Sequence, residues 1–301
     1  MKKNNLIIIL GPTAVGKTKI SVKIAKKLNS PIISCDSRQF YKELNIGTDK
    51  PNKKILKEIK HYFINSLSIK QNYNVGEFEK DTIKLLKQLF VNFNNLIMAG
   101  GSGLYINSIC NGIDNMPAID PLLRQKLNKK YKKSGIDYFK KFIKKNDPIF
   151  YNNVDLNNHQ RLIRGVEVFL QTKQPFSSLR KGIKKKRNFN IIKIGIKESK
   201  EKLYNKINKR VDLMIKKGLI SETKKLYKFK EYNALQTIGY KEIFMYLENS
   251  INLNECIELI KKNTRNYSKR QITWFNKEYD IKWFYNNEYE DIIKYIINET
   301  N

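Results

Sequence analysis

Gly11-Pro12-Thr13-Ala14-Val15-Gly16-Lys17-Thr18 carries a glycine, four variable residues, a second glycine, a lysine and a hydroxyl residue, the spacing of a phosphate loop. Before it, Leu6-Ile7-Ile8-Ile9-Leu10 is a short apolar run suited to a fully buried strand. After it, Ile20, Ile24, Ala25 and Leu28 recur at helical spacing. Strand, glycine loop and helix make loop amides and a helix N-terminus converge on an anion. Lys17 adds positive charge and the Thr18 hydroxyl can ligate Mg²⁺. The loop is therefore expected to hold a di- or triphosphate, and read alone it denotes nucleotide (ATP) binding.

Lys and Arg number 59 against 28 Asp and Glu, so the formal net charge of the 301 residues is +31. That excess points to a polyanion such as nucleic acid. A chain crowded with Lys, Asn and Ile also gains charge from compositional bias alone. The cysteines, Cys35, Cys110 and Cys256, lie far apart without metal-like spacing, which suits a reducing cytoplasm. His61 and His159 are too distant in sequence to suggest a metal site. No stretch approaches the roughly 18 apolar residues of a membrane span. The opening Met1-Lys2-Lys3 and its apolar run are too short for a signal peptide.

Pro31-Ile32-Ile33-Ser34-Cys35 reads as a second buried strand ending on Asp36-Ser37-Arg38-Gln39-Phe40-Tyr41. Ligands of open α/β sheets bind at the carboxyl ends of strands, which places Asp36 near the phosphate loop. There it can hold a metal, take a proton or cap a helix. A loop follows at 44–51, then a short strand over Tyr62-Phe63-Ile64 and a helix from Gly76. Leu96-Ile97-Met98-Ala99 is a further strand opening into Gly100-Gly101-Ser102-Gly103-Leu104-Tyr105. That second glycine turn should border the same cleft, with Ser102 offering a hydroxyl, or it merely packs tightly.

From Pro117 the alternation of strand and helix stops, and helices are expected at 122–131, 136–145 and 159–172. Residues 117–188 thus read as an inserted all-helical subdomain, its basic run 181–187 forming part of a charged surface or a solvated linker. Ile191-Ile192-Lys193-Ile194-Gly195-Ile196 returns to strand character. A helix with Lys206 and Arg210 follows, then a glycine turn at 236–242 and a long helix over about 254–275. On that last helix Lys261, Arg265 and Lys269 share one face, suited to a phosphate backbone or to solvent. The expected architecture is α/β, a phosphate-loop-type parallel sheet flanked by helices, built from 1–116 and 189–301 around the insertion.

Several segments in order resemble the tRNA dimethylallyltransferase (tRNA isopentenyltransferase) family in its compact bacterial form. They are the loop at 11–18, Asp-Ser-Arg-Gln-Phe-Tyr at 36–41, Ile-Gly-Thr-Asp-Lys-Pro at 46–51 and Gly-Gly-Ser-Gly-Leu-Tyr at 100–105. His-Gln-Arg-Leu-Ile-Arg at 159–164, Asn-Lys-Arg-Val-Asp-Leu-Met-Ile at 208–215, Ile-Gly-Tyr-Lys-Glu at 238–242 and Thr-Arg-Asn-Tyr-Ser-Lys-Arg-Gln-Ile-Thr-Trp-Phe at 264–275 complete the series. The loop alone is widely shared, whereas the combination is specific and spans nearly the whole chain.

The resemblance implies transfer of a dimethylallyl group from dimethylallyl diphosphate to N6 of the adenosine 3′-adjacent to a tRNA anticodon. It makes Gly11 to Thr18 the diphosphate cradle, with Lys17, Arg210 and a Thr18-bound Mg²⁺ stabilising the leaving group. It makes Asp36 the base and Ser102 a holder of the amine, although family members usually carry Thr there. It gives Asp36, Ser37, Arg38, Gln39 and Ser102, with Arg124, Gln160, Arg161, Leu162, Ile163 and Arg164, to the tRNA anticodon loop. A cytoplasmic monomer is the implied setting. Two rivals stand beside it on the residues alone, a small-molecule phosphotransferase and a nucleic-acid-stimulated NTPase.

Overall fold

The computed structural model describes residues 4–182 and 184–300. Residues 1–3, weighed above as part of a leader, and Ile183 of the basic run lie outside them. The chain divides into two compact units, one of residues 1–110 with 187–301 and one of residues 111–186.

The first unit is built on a six-stranded parallel sheet. Its strands are β1 (Asn5–Leu10), β2 (Ile32–Ser34), β3 (His61–Tyr62), β4 (Asn95–Gly100), β5 (Asn190–Lys197) and β6 (Ile281–Tyr285), in spatial order β3-β2-β4-β1-β5-β6. The apolar run of β1 is central because both of its faces are covered. Ile7 and Ile9 pack with Ile20, Ile24, Ile194 and Ile207 on one side, Leu6, Ile8 and Leu10 with Phe78, Ile106 and Phe275 on the other. That alternation is the two-residue period of a strand. Each such side chain contributes about 1.5–3 kcal/mol by burial. Lys193 breaks the apolar pattern of β5, and its ammonium is answered by Glu278 at 2.7 Å and Asp280 at 3.0 Å.

β1 lies between β4 and β5, so the chain leaves it for one half of the sheet and later returns to the other side. The carboxyl ends of β1, β2 and β4 therefore open side by side on one edge, where an α/β sheet binds its ligands. Local signals set the surrounding helices. Asn74 accepts from the Gly76 and Glu77 amides while Glu77 accepts from the Asn74 amide, a reciprocal cap that starts the helix Val75–Leu89. Asn252 and Glu255 do the same for the helix Leu253–Phe275.

The second unit is helical among its described residues, with helices Pro121–Ser134, Asp137–Asn146, Pro148–Asn153, His159–Thr172 and Phe176–Leu179. Its own core gathers Leu127, Phe139, Ile143, Phe150, Leu162, Ile163 and Val166. Gly165 belongs to that packing, since a methyl there would stand 2.6 Å from the Phe150 ring. The short helices at 148–153 and 176–179 carry too little periodicity to be read from sequence, and the strand β6 with the helix Tyr289–Thr300 completes the sheet beyond the last element expected. Arg187 is no part of a solvated charge run. Its guanidinium donates to the Ile109 and Ser108 carbonyls and to Glu79 in the first unit.

Candidate active site

The phosphate loop leaves β1 through Gly11, whose φ of 145° and whose approach to the Ile196 carbonyl exclude a side chain. It ends at Gly16, the cap of the helix Lys17–Leu28, which offers no side-chain acceptor to the first turn. The first amides of that helix are thus left for an anion. Thr13 is different, because its amide donates to Gln271 Oε1 at 2.9 Å and is already occupied. Of the Gly11 to Thr18 amides expected to face a phosphate, that of Thr13 is turned to Gln271 instead.

Lys17 Nζ donates to the Pro12 carbonyl at 2.7 Å. Burial pushes its pKa down to about 8, offset in part by the Asp36 carboxylate and deepened by Arg210. A desolvated lysine regains its lost stabilisation when an anion comes to lie beside it. Arg210 reaches the loop from the helix Lys200–Lys216, its NH1 donating to Thr13 Oγ1 at 2.9 Å. Its Nε stands 3.4 Å from Asp49 Oδ2.

These groups face one cleft of roughly 840 Å³, whose walls include Thr13, Lys17, Thr18, Asp36, Gln39, Arg210, Tyr267 and Gln271. Asp36 follows β2 and opens a turn rather than capping a helix. Its Oδ1 accepts from the Arg38 amide at 2.9 Å, and the Gln39 amide donates to its carbonyl. That turn aims the carboxyl while Oδ2 makes no hydrogen bond among the described residues. Gln39 ties the turn to the 44–50 loop through the Thr48 carbonyl at 3.2 Å, and Arg38 donates to the Asn233 and Ala234 carbonyls. The loop is fixed from behind by Glu222, which accepts from the amides of Asn45, Ile46 and Gly47 and from the Tyr240 hydroxyl at 2.6 Å.

The second glycine turn packs against the first. Ser102 accepts from the Ser37 amide at 3.2 Å and bonds Tyr267, whose own pKa burial raises to about 12. Ser102, Ser37 and Asp36 are therefore linked at the ends of β4 and β2. Tyr267, Gln271, Asp49 and Lys50 also line the cleft, and sequence reading alone does not single them out. Tyr267 and Gln271 sit one turn apart on the helix Leu253–Phe275, and that spacing beside the 264–275 segment was the available signal. Lys50 is driven down to about 8 by burial and donates to Asn65 Oδ1 at 2.6 Å.

The expected tRNA contacts of the second unit divide. Gln160 and Arg161 are exposed. Leu162 and Ile163 are 0 % and 2 % exposed, so their side chains serve the core and present nothing to a ligand. Arg124 and Arg164 both grip the buried Glu167, Arg124 at 2.8 and 2.6 Å, and Arg164 also donates to the Pro117 carbonyl. Both arginines are occupied in holding a buried carboxylate. The basic face of the long helix is partly spent as well, with Lys261 paired to Asp212 at 2.9 Å and Arg265 donating to Asn208 at 2.8 Å.

No group of three or more His, Cys, Asp or Glu residues suited to a metal occurs among the described residues. The cleft does offer the Thr18 hydroxyl and the Asp36 carboxylate. Hard oxygen donors in such small number fit a cation that shares its coordination with a bound phosphate, as Mg²⁺ does. The arrangement brings a cationic phosphate cradle and a carboxylate into one space, which is what a displacement of phosphate by a weak, proton-bearing nucleophile requires.

Known proteins share this architecture. A family model described as IPP transferase matches residues 39–278. A tRNA dimethylallyltransferase 2 from Azobacteroides pseudotrichonymphae is 48 % identical over 95 % of this chain and 94 % of its own. A tRNA dimethylallyltransferase from Christiangramia forsetii is 47 % identical over 99 % of both chains. Among solved structures, the tRNA isopentenylpyrophosphate transferase of Bacillus halodurans superposes with a TM-score of 0.73 at 32 % identity, over 99 % of this chain and 97 % of that one. A eukaryotic dimethylallyltransferase captured acting on tRNA superposes with a TM-score of 0.80 at 25 % identity, over 98 % of this chain and 80 % of that one. No helix among the described residues is long and apolar enough to cross a membrane.

Proposed function

The chain belongs to the tRNA dimethylallyltransferase family, and from that premise we propose how its cleft performs the reaction. It is a prenyltransferase that acts on tRNA, moving a dimethylallyl group to N6 of the adenosine 3′-adjacent to the anticodon. The donor in this reading is dimethylallyl diphosphate, and the loop Gly11 to Thr18 is a cradle for the leaving group. The observation that supports it is the sharing of one cleft by Lys17, Arg210 and Asp36.

An exocyclic adenine amine is a weak nucleophile, because its lone pair is delocalised into the ring. The reaction therefore depends on loosening the bond between the allylic carbon and the diphosphate oxygen. As that bond breaks, its electron pair leaves with the diphosphate, where Lys17, Arg210 and the first amides of the helix Lys17–Leu28 meet the growing charge. Positive charge spreads over the allyl group, and the N6 lone pair closes the new carbon–nitrogen bond. The surplus N6 proton passes to Asp36 Oδ2, the oxygen that the turn leaves unbonded. Ser102 and Tyr267 hold the amine on this reading. Mg²⁺, held by Thr18 and the diphosphate, would supply further charge neutralisation.

The adenosine has to leave its stack to reach such a cleft. Exposed Gln160 and Arg161 on the second unit are the residues we assign to the anticodon loop, which proteins read through splayed single-stranded bases. The setting we propose is the cytoplasm, consistent with three buried free cysteines. A monomer suffices, because every residue of the cleft comes from one unit of one chain.

Replacing the base tests the assignment of roles. Asp36→Asn keeps the turn acceptor for the Arg38 amide but cannot take the proton at neutral pH. Single-turnover transfer should fall by about two to four orders of magnitude, while dimethylallyl diphosphate still binds. Unchanged turnover would remove Asp36 from the mechanism.

A further inference from the structure

We propose that Gln271 is a positioning residue for prenyl transfer, a rung that holds the leaving-group cradle at a fixed distance from the turn bearing Ser102. The inference rests on the reading of the cleft given above. Gln271 is 6 % exposed, and its carboxamide is used at both ends. Oε1 accepts from the Thr13 amide at 2.9 Å, and Nε2 donates to the Gly101 carbonyl at 2.8 Å. The partners fix the orientation of the amide, since Thr13 brings a donor and Gly101 an acceptor.

The place of this bridge explains its purpose. The β1–β4 ladder ends at the pair Leu10 and Gly100, and beyond it the two chains diverge into their glycine turns. Among the described residues no backbone hydrogen bond joins the two turns beyond that pair. The Gln271 side chain links them instead, from a third element, the helix Leu253–Phe275. Gly101 is the residue that permits it, because a methyl there would stand 2.3 Å from Gln271 Nε2 and 3.2 Å from the Gly11 carbonyl.

What the bridge joins is the machinery itself. On one side Thr13 takes Arg210 on its hydroxyl at 2.9 Å. On the other side Gly101 leads directly into Ser102, which touches Ser37 and Tyr267. A shift of one turn against the other changes the separation of the phosphate cradle from the groups that meet the amine. Displacements on the order of 1 Å at such a junction cost about a hundredfold in rate. Gln271 borders the cleft, but both ends of its carboxamide are taken by Thr13 and Gly101, so its loss should act on the chemical step more than on binding.

Two variants test this. Gln271→Met keeps the volume and removes both hydrogen bonds. It should lower kcat about 10- to 100-fold, with KM for dimethylallyl diphosphate and for tRNA moving less than about threefold. Gln271→Glu is the sharper probe. Its carboxylate can accept from Thr13 but cannot donate to Gly101, whereas its protonated form does both. The ratio of its kcat to that of the wild type should therefore climb as pH falls through the titration of the new carboxyl. A kcat for Q271M within about threefold of wild type, or a loss carried entirely by KM, would overturn the proposal. If Q271M does not accumulate folded, the Q271E ratio decides alone, and a pH-independent ratio overturns it. Wild-type transfer in the same assay keeps the outcomes separate, because its absence would count against the reading of the cleft and not against Gln271.

Discussion

Arg210 donates through NH1 to the Thr13 hydroxyl at 2.9 Å, so a cation from one helix rests on the phosphate loop of another segment nearly two hundred residues away in sequence. On the proposed function, the contact puts the guanidinium beside the departing diphosphate. Its Nε stands 3.4 Å from Asp49 on the loop that Glu222 pins in place.

Substituting Arg210 should therefore damage the chemical step most. Arg210→Ala is expected to lower single-turnover transfer by about 10²- to 10³-fold, the usual size of one lost charge-stabilising donor. Arg210→Lys should recover only part of it, because an ammonium lacks the planar fork that serves Thr13 and a phosphate together. Rapid-quench measurement at saturating donor and tRNA separates this from weakened binding.

Lys17 gives a pH signature. Burial lowers its pKa from 10.5 to about 8. Anion binding favours the charged form, so the bound value lies higher. Below pH 8 the lysine is already charged and binding takes up no proton through it. Above pH 8 it must gain one, and affinity for diphosphate should fall as pH rises. Calorimetry in buffers of different ionisation heat should show proton uptake above pH 8 that Lys17→Met lacks.

The same shift bears on stability. A lysine whose folded value lies below its unfolded value opposes folding while it is charged, and the deficit fades as pH rises from about 8 toward 10.5. Lys17→Met should accordingly raise the thermal midpoint at pH 7 while weakening diphosphate binding.

Two arginines of the second unit should behave in opposite ways. Arg161 is exposed, and Arg161→Ala should weaken tRNA binding with the slope of log affinity against log salt reduced by about one. Arg124 is bound to Glu167, whose side chain is 0 % exposed. Glu167→Ala strands Arg124 and Arg164 and should cost about 3–5 kcal/mol in stability. Urea unfolding checks the second, and filter binding across a salt series checks the first.

What the sequence discloses follows from how local each signal is. The strand–loop–helix at 5–28 is legible because an apolar run, two glycines and a helical stripe adjoin. Asp36 and Ser102 are legible because each closes a buried strand, and parallel strands bring their carboxyl ends to one edge. Gln271 is not legible, since its partners Thr13 and Gly101 lie 258 and 170 residues away. Nor is the fate of Arg124 and Arg164. A basic residue on a helix face looks the same whether it meets an RNA phosphate or, as here, a buried carboxylate. The strand β6 escaped for a different reason, because Lys282 interrupts an apolar stretch too short to show a period.

The most direct test of the account is incubation of the wild-type chain with unmodified tRNA, Mg²⁺ and dimethylallyl diphosphate labelled in its prenyl group, with ATP omitted. Label is expected on N6 of the adenosine 3′-adjacent to the anticodon, with one diphosphate released per label transferred. Label that fails to reach adenosine, or that reaches it only when ATP is supplied, would contradict the assignment of the loop at Gly11 to Thr18 as the leaving-group cradle.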